Sequence, residues 1–142
     1  MVKQISIFLE NKSGRLAKVT RVLGEQEVNI RALSIADTTD FGILRLIVDN
    51  PEKALEVLKE AGFAVSEAEV IAVEIPDSPG GLAGVMDVLE EAGVNIEYLY
   101  AFLKNSAQNA VVLFRVEAVD KAKEVLAARN INVLDGKTLY SL

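Results

Sequence analysis

Apolar positions along the chain switch between two periods. In residues 4–10, QISIFLE, Ile5, Ile7 and Leu9 fall on one face, the period of two that marks a half-buried strand. Residues 70–75, VIAVEI, alternate in the same way, with Ile71, Val73 and Ile75 opposite Val70, Ala72 and Glu74. The period then lengthens: Leu16, Val19, Val22 and Leu23 recur at helical spacing, and so do Leu82, Val85, Met86 and Leu89. Residues 29–36 (NIRALSIA) and 95–103 (NIEYLYAFL), followed by 42–49 (GILRLIVD) and 110–117 (AVVLFRVE), are rich in strand formers and joined by polar turns, which predicts a hairpin in each half. A second helix follows each hairpin, opened by Asn50-Pro51 and by Asp120. Pro51 suits a first turn, where its missing N–H is not needed. A short fourth strand closes each half.

The two halves are copies. Shifting the chain by 66 positions lays NKSGRLAKVTRVLGEQEVNIRAL (11–33) on DSPGGLAGVMDVLEEAGVNIEYL (77–99) without a gap. Gly14/Gly80, Leu16/Leu82, Ala17/Ala83, Val19/Val85, Val22/Val88, Leu23/Leu89, Glu25/Glu91, Val28/Val94, Asn29/Asn95, Ile30/Ile96 and Leu33/Leu99 are identical. So dense a match is the mark of duplication. After a two-residue insertion, in AFLKNSAQNA of the second copy, PEKALEVLKEAGFAV (51–65) faces VDKAKEVLAARNINV (119–133). The order βαββαβ in about 66 residues predicts an α+β chain of two ferredoxin-like units, each an antiparallel sheet with its helices on one face. The expected boundaries are 1–67 and 68–142, with SEAE (66–69) as a turn-like link.

Composition narrows the chemistry. The chain has 142 residues, 51% hydrophobic and 25% charged, with three prolines, as globular proteins do. Its net charge of −6 and the absence of a basic cluster argue against nucleic acid and against an acidic membrane as partners. There is no Cys and no His, which removes disulfides, thiolate chemistry, the usual metal ligands and the usual general base. No apolar run approaches a membrane span and the start lacks the apolar stretch of an export signal, so a cytoplasmic protein is expected.

A ferredoxin-like unit does not fix a function. A metallochaperone of this fold needs a Cys-x-x-Cys loop. An RNA-recognition unit needs stacked aromatics in its third strand, where GILRLIVD has none and AVVLFRVE only Phe114. An acylphosphatase-like enzyme would use an arginine after the first strand; Arg15 is so placed, but its counterpart is Gly81. No catalytic residue, metal or cofactor is therefore expected.

The segment DSPGGLAG (77–84) carries the remaining signal. Each interior helical glycine costs about 0.8–1 kcal/mol relative to alanine, so three at a helix start require a reason. With Ser78 as cap and Pro79 in the first position, Gly80 would lie in the first turn, where free N–H groups and the positive dipole end favour a carboxylate. Asp77, just outside, would take an ammonium. Both ends of an amino acid are then met. The competing readings are a tight strand-to-helix turn for Gly14 and Gly80, Asx turns for Asn11 and Asp77, strand starts for Asn29 and Asn95, and close helix packing for Gly84. Tyr98, Tyr100 and Phe102 form an aromatic row suited to intermolecular packing or to a ligand wall.

DSPGGLAGVMDVLEEAGVNIEYL resembles the signature of the ACT domain, a small regulatory module that generally senses amino acids in metabolic enzymes. NKSGRLAKVTRVLGEQEVNIRAL resembles a degraded version, with Asn11 for Asp and Ser13 for Pro. The resemblance covers the chain as two units. It implies association through the second strand of a unit, which would bring the Asn of one unit toward the glycine loop of its partner. One site would use Asn11, Ser13, Gly14, Arg15 and Leu16 with Asn95 and Ile96. The other would use Asp77, Ser78, Pro79, Gly80, Gly81 and Leu82 with Asn29 and Ile30, and is favoured for its charge and room. The expected protein is a non-catalytic amino-acid sensor that signals to a metabolic enzyme or to its own homo-oligomer, such as a dimer. The rival is a constitutive regulatory subunit with no ligand of its own.

Overall fold

In the computed structural model, which describes residues 1–103 and 109–142, the chain divides into two compact units, residues 3–68 and residues 69–142 together with 1–2. The first contains β1 (Val2–Glu10), α1 (Arg15–Glu25), β2 (Ile30–Asp37), β3 (Phe41–Val48) and α2 (Pro51–Glu60). The strand β4 (Ala64–Pro76) carries the chain into the second, which continues with α3 (Gly81–Glu91), β5 (Ile96–Ala101), β6 (Asn109–Val116), α4 (Val119–Ala128), β7 (Val133–Leu134) and α5 (Gly136–Tyr140). The strand orders β2-β3-β1-β4 and β7-β4-β6-β5 are those of ferredoxin-like units, and β1–β3, β2–β3, β4–β6, β4–β7 and β5–β6 pair antiparallel.

Register explains each core. Ile5 and Ile7 lie opposite Leu46 and Leu44, so these side chains share the face on which α1 and α2 pack. They are buried with Val19 and Leu23 of α1 and Ala54 and Leu58 of α2. Each helix therefore contributes residues four apart, one turn above the other. Ile71, Val73, Val112 and Phe114 receive Val85, Leu89, Ala122 and Leu126 in the same manner. Each such side chain gains about 1.5–3 kcal/mol by leaving water.

All four core helices also stop alike. Glu27, Gly62, Gly93 and Asn130 have positive φ, and the next residue's N–H returns to a leucine carbonyl five positions back: Val28 to Leu23, Phe63 to Leu58, Val94 to Leu89 and Ile131 to Leu126. This is the Schellman closure, in which a left-handed residue satisfies the last carbonyls and an apolar residue folds back on the helix.

Three expectations change. Residues 66–69 are not a turn but the middle of β4; SEAE contains no Gly, Pro or Asn, and nothing in it breaks an extended backbone. A fifth helix, α5, closes the chain, capped by Asp135, which accepts from the Thr138 N–H at 2.7 Å. The aromatic row does not face solvent as a free wall: Tyr100 and Phe102 are buried. The insertion expected in AFLKNSAQNA falls on 104–108, outside the described residues.

Candidate functional site

Each unit builds the same strand-to-helix loop from backbone hydrogen bonds. Lys12 N–H donates to the Glu10 carbonyl and Arg15 N–H to that of Lys12; Ser78 N–H donates to the Pro76 carbonyl at 2.9 Å and Gly81 N–H to that of Ser78 at 3.0 Å. The chain then turns into the helix through a left-handed residue, Gly14 at φ 87° or Gly80 at φ 85°. A β-carbon at either would meet open space, so the sign of φ, not crowding, requires glycine there. Gly81 is the reverse case: its backbone is ordinary, but a β-carbon would run into the Pro76 carbonyl. Gly84 has open space around it and serves no close packing, contrary to its sequence reading.

The cap differs from expectation. Ser78 does not cap α3 and Pro79 is not its first residue; the cap position is Gly80 itself, which has no side chain to offer. The left-handed turn must come directly before the helix, and this moves the start two residues along. Leu82 and Ala83, the second and third helical residues, therefore keep first-turn N–H groups with no partner among the described residues, on an exposed surface. Leu16 and Leu82 stand exposed at the same helical position, 42% and 37%.

The two loops then diverge. In the first, Asn11 is tied to the β2–β3 turn: its N–H donates to the Asp40 carbonyl at 2.7 Å and its side-chain amide to the Thr39 carbonyl at 3.0 Å. Glu10 is held by Lys12 at 2.9 Å and by Arg15 at 3.4 Å. The hydrogen bond and charge of Lys12, with Arg15 behind it, keep the Glu10 carboxyl below its ordinary pKa. A cavity of about 120 Å³ remains among Leu9, Asn11, Arg15, Leu16, Ile35 and Gly42. In the second loop Asp77 has no hydrogen bond or ion pair among the described residues, and Gly81 replaces the arginine. Ser13, Pro79 and the other loop residues are exposed, with Arg15 and Gly81 half-buried.

Asn29 and Asn95 lie beyond the far end of α1 and α3, helices of 11 residues and so about 16 Å long, and within one unit neither reaches the loop. Asn29 N–H donates to Asp49 Oδ1 at 2.9 Å, and Asn95 Nδ2 donates to Glu117 Oε1 at 3.1 Å. These bonds fasten the start of β2 and β5, with Ile30 and Ile96 half-buried beside them. A cavity of about 600 Å³ in the second unit is lined by Val70, Ile71, Lys123, Ala127, Ile131 and Asp135 among others. No sequence-named site residue lines it, and its mixture of apolar residues with Lys123, Asn130, Asn132 and Asp135 forms no motif that the sequence could have shown. Among the described residues no group of three or more His, Cys, Asp or Glu is placed to hold a metal, and no helix is long and apolar enough to cross a membrane.

Two ferredoxin-like units, each with a left-handed glycine between its first strand and first helix, define the class of tandem βαββαβ domains. The chain belongs to the ACT domain pair family, whose model matches residues 1–142. A protein of Bacteroides thetaiotaomicron of known crystal structure is 45% identical, over 99% of this chain and 96% of that one, with a TM-score of 0.93. The regulatory subunit of aspartate kinase from Thermus thermophilus, in its ligand-free form, shares the fold at 20% identity over 91% of each chain, with a TM-score of 0.66. That from Thermus flavus does so at 17% over 90% of each, with 0.63. A search of curated proteins finds no match.

Proposed function

We propose that the protein is a regulatory amino-acid sensor whose second loop, residues 77–82, receives the ligand. The observation that carries this reading is the uncapped start of α3: the Leu82 and Ala83 N–H groups are free for a carboxylate, and the Asp77 carboxylate in the loop that leads into the helix is free for an ammonium. Leu82 supplies an apolar contact for the ligand's side chain. Membership of the ACT family supports sensing rather than catalysis, as does a chain without Cys or His. In this proposal the residues that complete the pocket, of the kind of Asn29 and Ile30, come from an ACT unit of a second copy. A ligand that binds better to one assembly shifts the equilibrium toward it, and a metabolic enzyme or the oligomer itself reads the shift.

Thermal unfolding against each of the twenty amino acids at millimolar concentration tests this. A ligand at 100 times its Kd adds about 2.7 kcal/mol, which at roughly 2–4 °C per kcal/mol moves the midpoint by several degrees. The expected outcome is a shift with one or a few amino acids that Asp77→Ala removes. A flat response to all twenty would defeat the proposal. It would favour a constitutive regulatory subunit, a reading that the first loop supports on its own, since Asn11 and Glu10 are engaged by their own chain.

A further inference from the structure

Phe8 and Phe41 stack with ring centroids 5.0 Å apart and planes 24° from parallel, on the face of the first sheet turned away from α1 and α2. They are 53% and 44% exposed, and Ile43 beside them is 37% exposed. A cavity lies on either side of Phe8. One, of about 230 Å³, is walled by Phe41 and Phe63; the other, of about 260 Å³, by Ile43 and Val65; Ala64 borders both.

The duplication supplies an internal control. Positions 8, 41 and 64 correspond to 74, 109 and 132, and the register agrees, since Phe8 faces Ile43 as Glu74 faces Val111. In the second copy these three positions close on themselves: Glu74 accepts from Asn109 Nδ2 at 3.1 Å and from Asn132 Nδ2 at 3.0 Å. The same backbone thus folds with a satisfied polar triad, and nothing in the fold demands two half-exposed rings. Exposed apolar surface gathered into a patch marks a contact site.

We propose that this patch is a docking surface for a protein partner that inserts two apolar side chains of one short segment, one on each side of Phe8. The exposed halves of the two rings come to roughly 150–250 Å², far below the roughly 800 Å² per partner of a standard stable interface. That area suits a short segment and is too small for a stable dimer of this chain. Glu10 and Arg15 give the rim both signs of charge. The surface is distinct from the proposed amino-acid site, because none of its lining residues is among residues 77–82, Asn29 and Ile30.

The test transplants the polar triad: Phe8→Glu, Phe41→Asn and Ala64→Asn together. A random dodecapeptide phage library is selected on the wild-type chain and depleted on the variant. The expected result is enriched peptides with two apolar residues at a fixed spacing. Synthesised, they bind the wild type and lose about tenfold or more in affinity on the variant, which unfolds cooperatively near the wild-type midpoint and keeps any amino-acid shift. If the triple variant does not fold, Phe41→Ala serves in its place. No enrichment, or peptides that bind both chains equally, would overturn the proposal. Sedimentation showing self-association of the wild type that the variant lacks would overturn it too, in favour of a contact between copies.

Discussion

Single side chains separate two loops that share one backbone course. Arg15 and Gly81 occupy the same position after a left-handed glycine, yet only at Gly81 does the preceding carbonyl, that of Pro76, exclude a β-carbon. Gly81→Ala is therefore expected to destabilise by about 1–3 kcal/mol, the cost of overpacking, read as a lower denaturant midpoint with an unchanged slope. Its side chain is the smallest possible, so the loss reports that carbonyl contact rather than charge. Charge decides the matter at Glu10. Lys12 and Arg15 lower its pKa in the folded chain, so whatever stability the cluster gives is present above the unfolded carboxyl value and is lost as pH falls through the folded one. In a carboxyl NMR titration Glu10 should have its midpoint below 4.5, and Lys12→Ala should move it upward. An unmoved midpoint would show that the pair does not hold Glu10 in solution.

Elements of secondary structure were legible wherever a period ran unbroken. Ile5, Ile7 and Leu9 and the paired stripes Val19/Leu23 and Val85/Leu89 read directly as the strand and helix faces that meet in each core. What escaped reading was decided by backbone geometry that no period reports. The first turn of α3 starts after a left-handed glycine instead of at Pro79, and β4 runs through SEAE because a polar stretch without a breaker is as compatible with an extended edge as with a turn. The helix ends were written in the sequence in a form that hydrophobic patterning overlooks. A leucine, three residues, a left-handed residue and an apolar one recur four times, as Leu23…Glu27-Val28, Leu58…Gly62-Phe63, Leu89…Gly93-Val94 and Leu126…Asn130-Ile131. Glu27 is the least suited of the four, and its own copy, Gly93, shows the remedy. Glu27→Gly should stabilise by about 0.5–1 kcal/mol. Gly84→Ala should give a similar gain, since its helical backbone and open surroundings leave only the entropy of the unfolded chain to lose. Either change should raise the thermal midpoint by roughly 1–4 °C. A fall with Gly84→Ala would mean that the new methyl meets a neighbour in solution, and a fall with Glu27→Gly that the Glu27 side chain makes a contact that outweighs its backbone strain.

At the scale of the whole chain, duplication made two like units and divergence gave them different surfaces. The first has tied its loop to its own β2–β3 turn through Asn11 and filled the strand end with the Glu10, Lys12 and Arg15 cluster, while showing Phe8 and Phe41 to solvent. The second has left Asp77 open before a helix start that, like that of α1, has no side-chain cap, and has closed the aromatic position with Glu74, Asn109 and Asn132. A ligand that needs both a free carboxylate and free first-turn N–H groups finds them together only in the second loop. Under the sensor proposal the stoichiometry in titration calorimetry should therefore be one amino acid per chain, although the family signature occurs twice. Asp77→Ala should abolish the heat, and Asn11→Ala, which removes the side-chain bond to the Thr39 carbonyl but keeps the backbone bond to Asp40, should leave the affinity of that one site within a factor of about two, an energy of roughly 0.4 kcal/mol. Two sites per chain, of unequal affinity, would show that the Asn11 tether opens to ligand. In that case the difference between the loops would lie in affinity alone, and the argument from self-occupation would fall while the sensor reading stood.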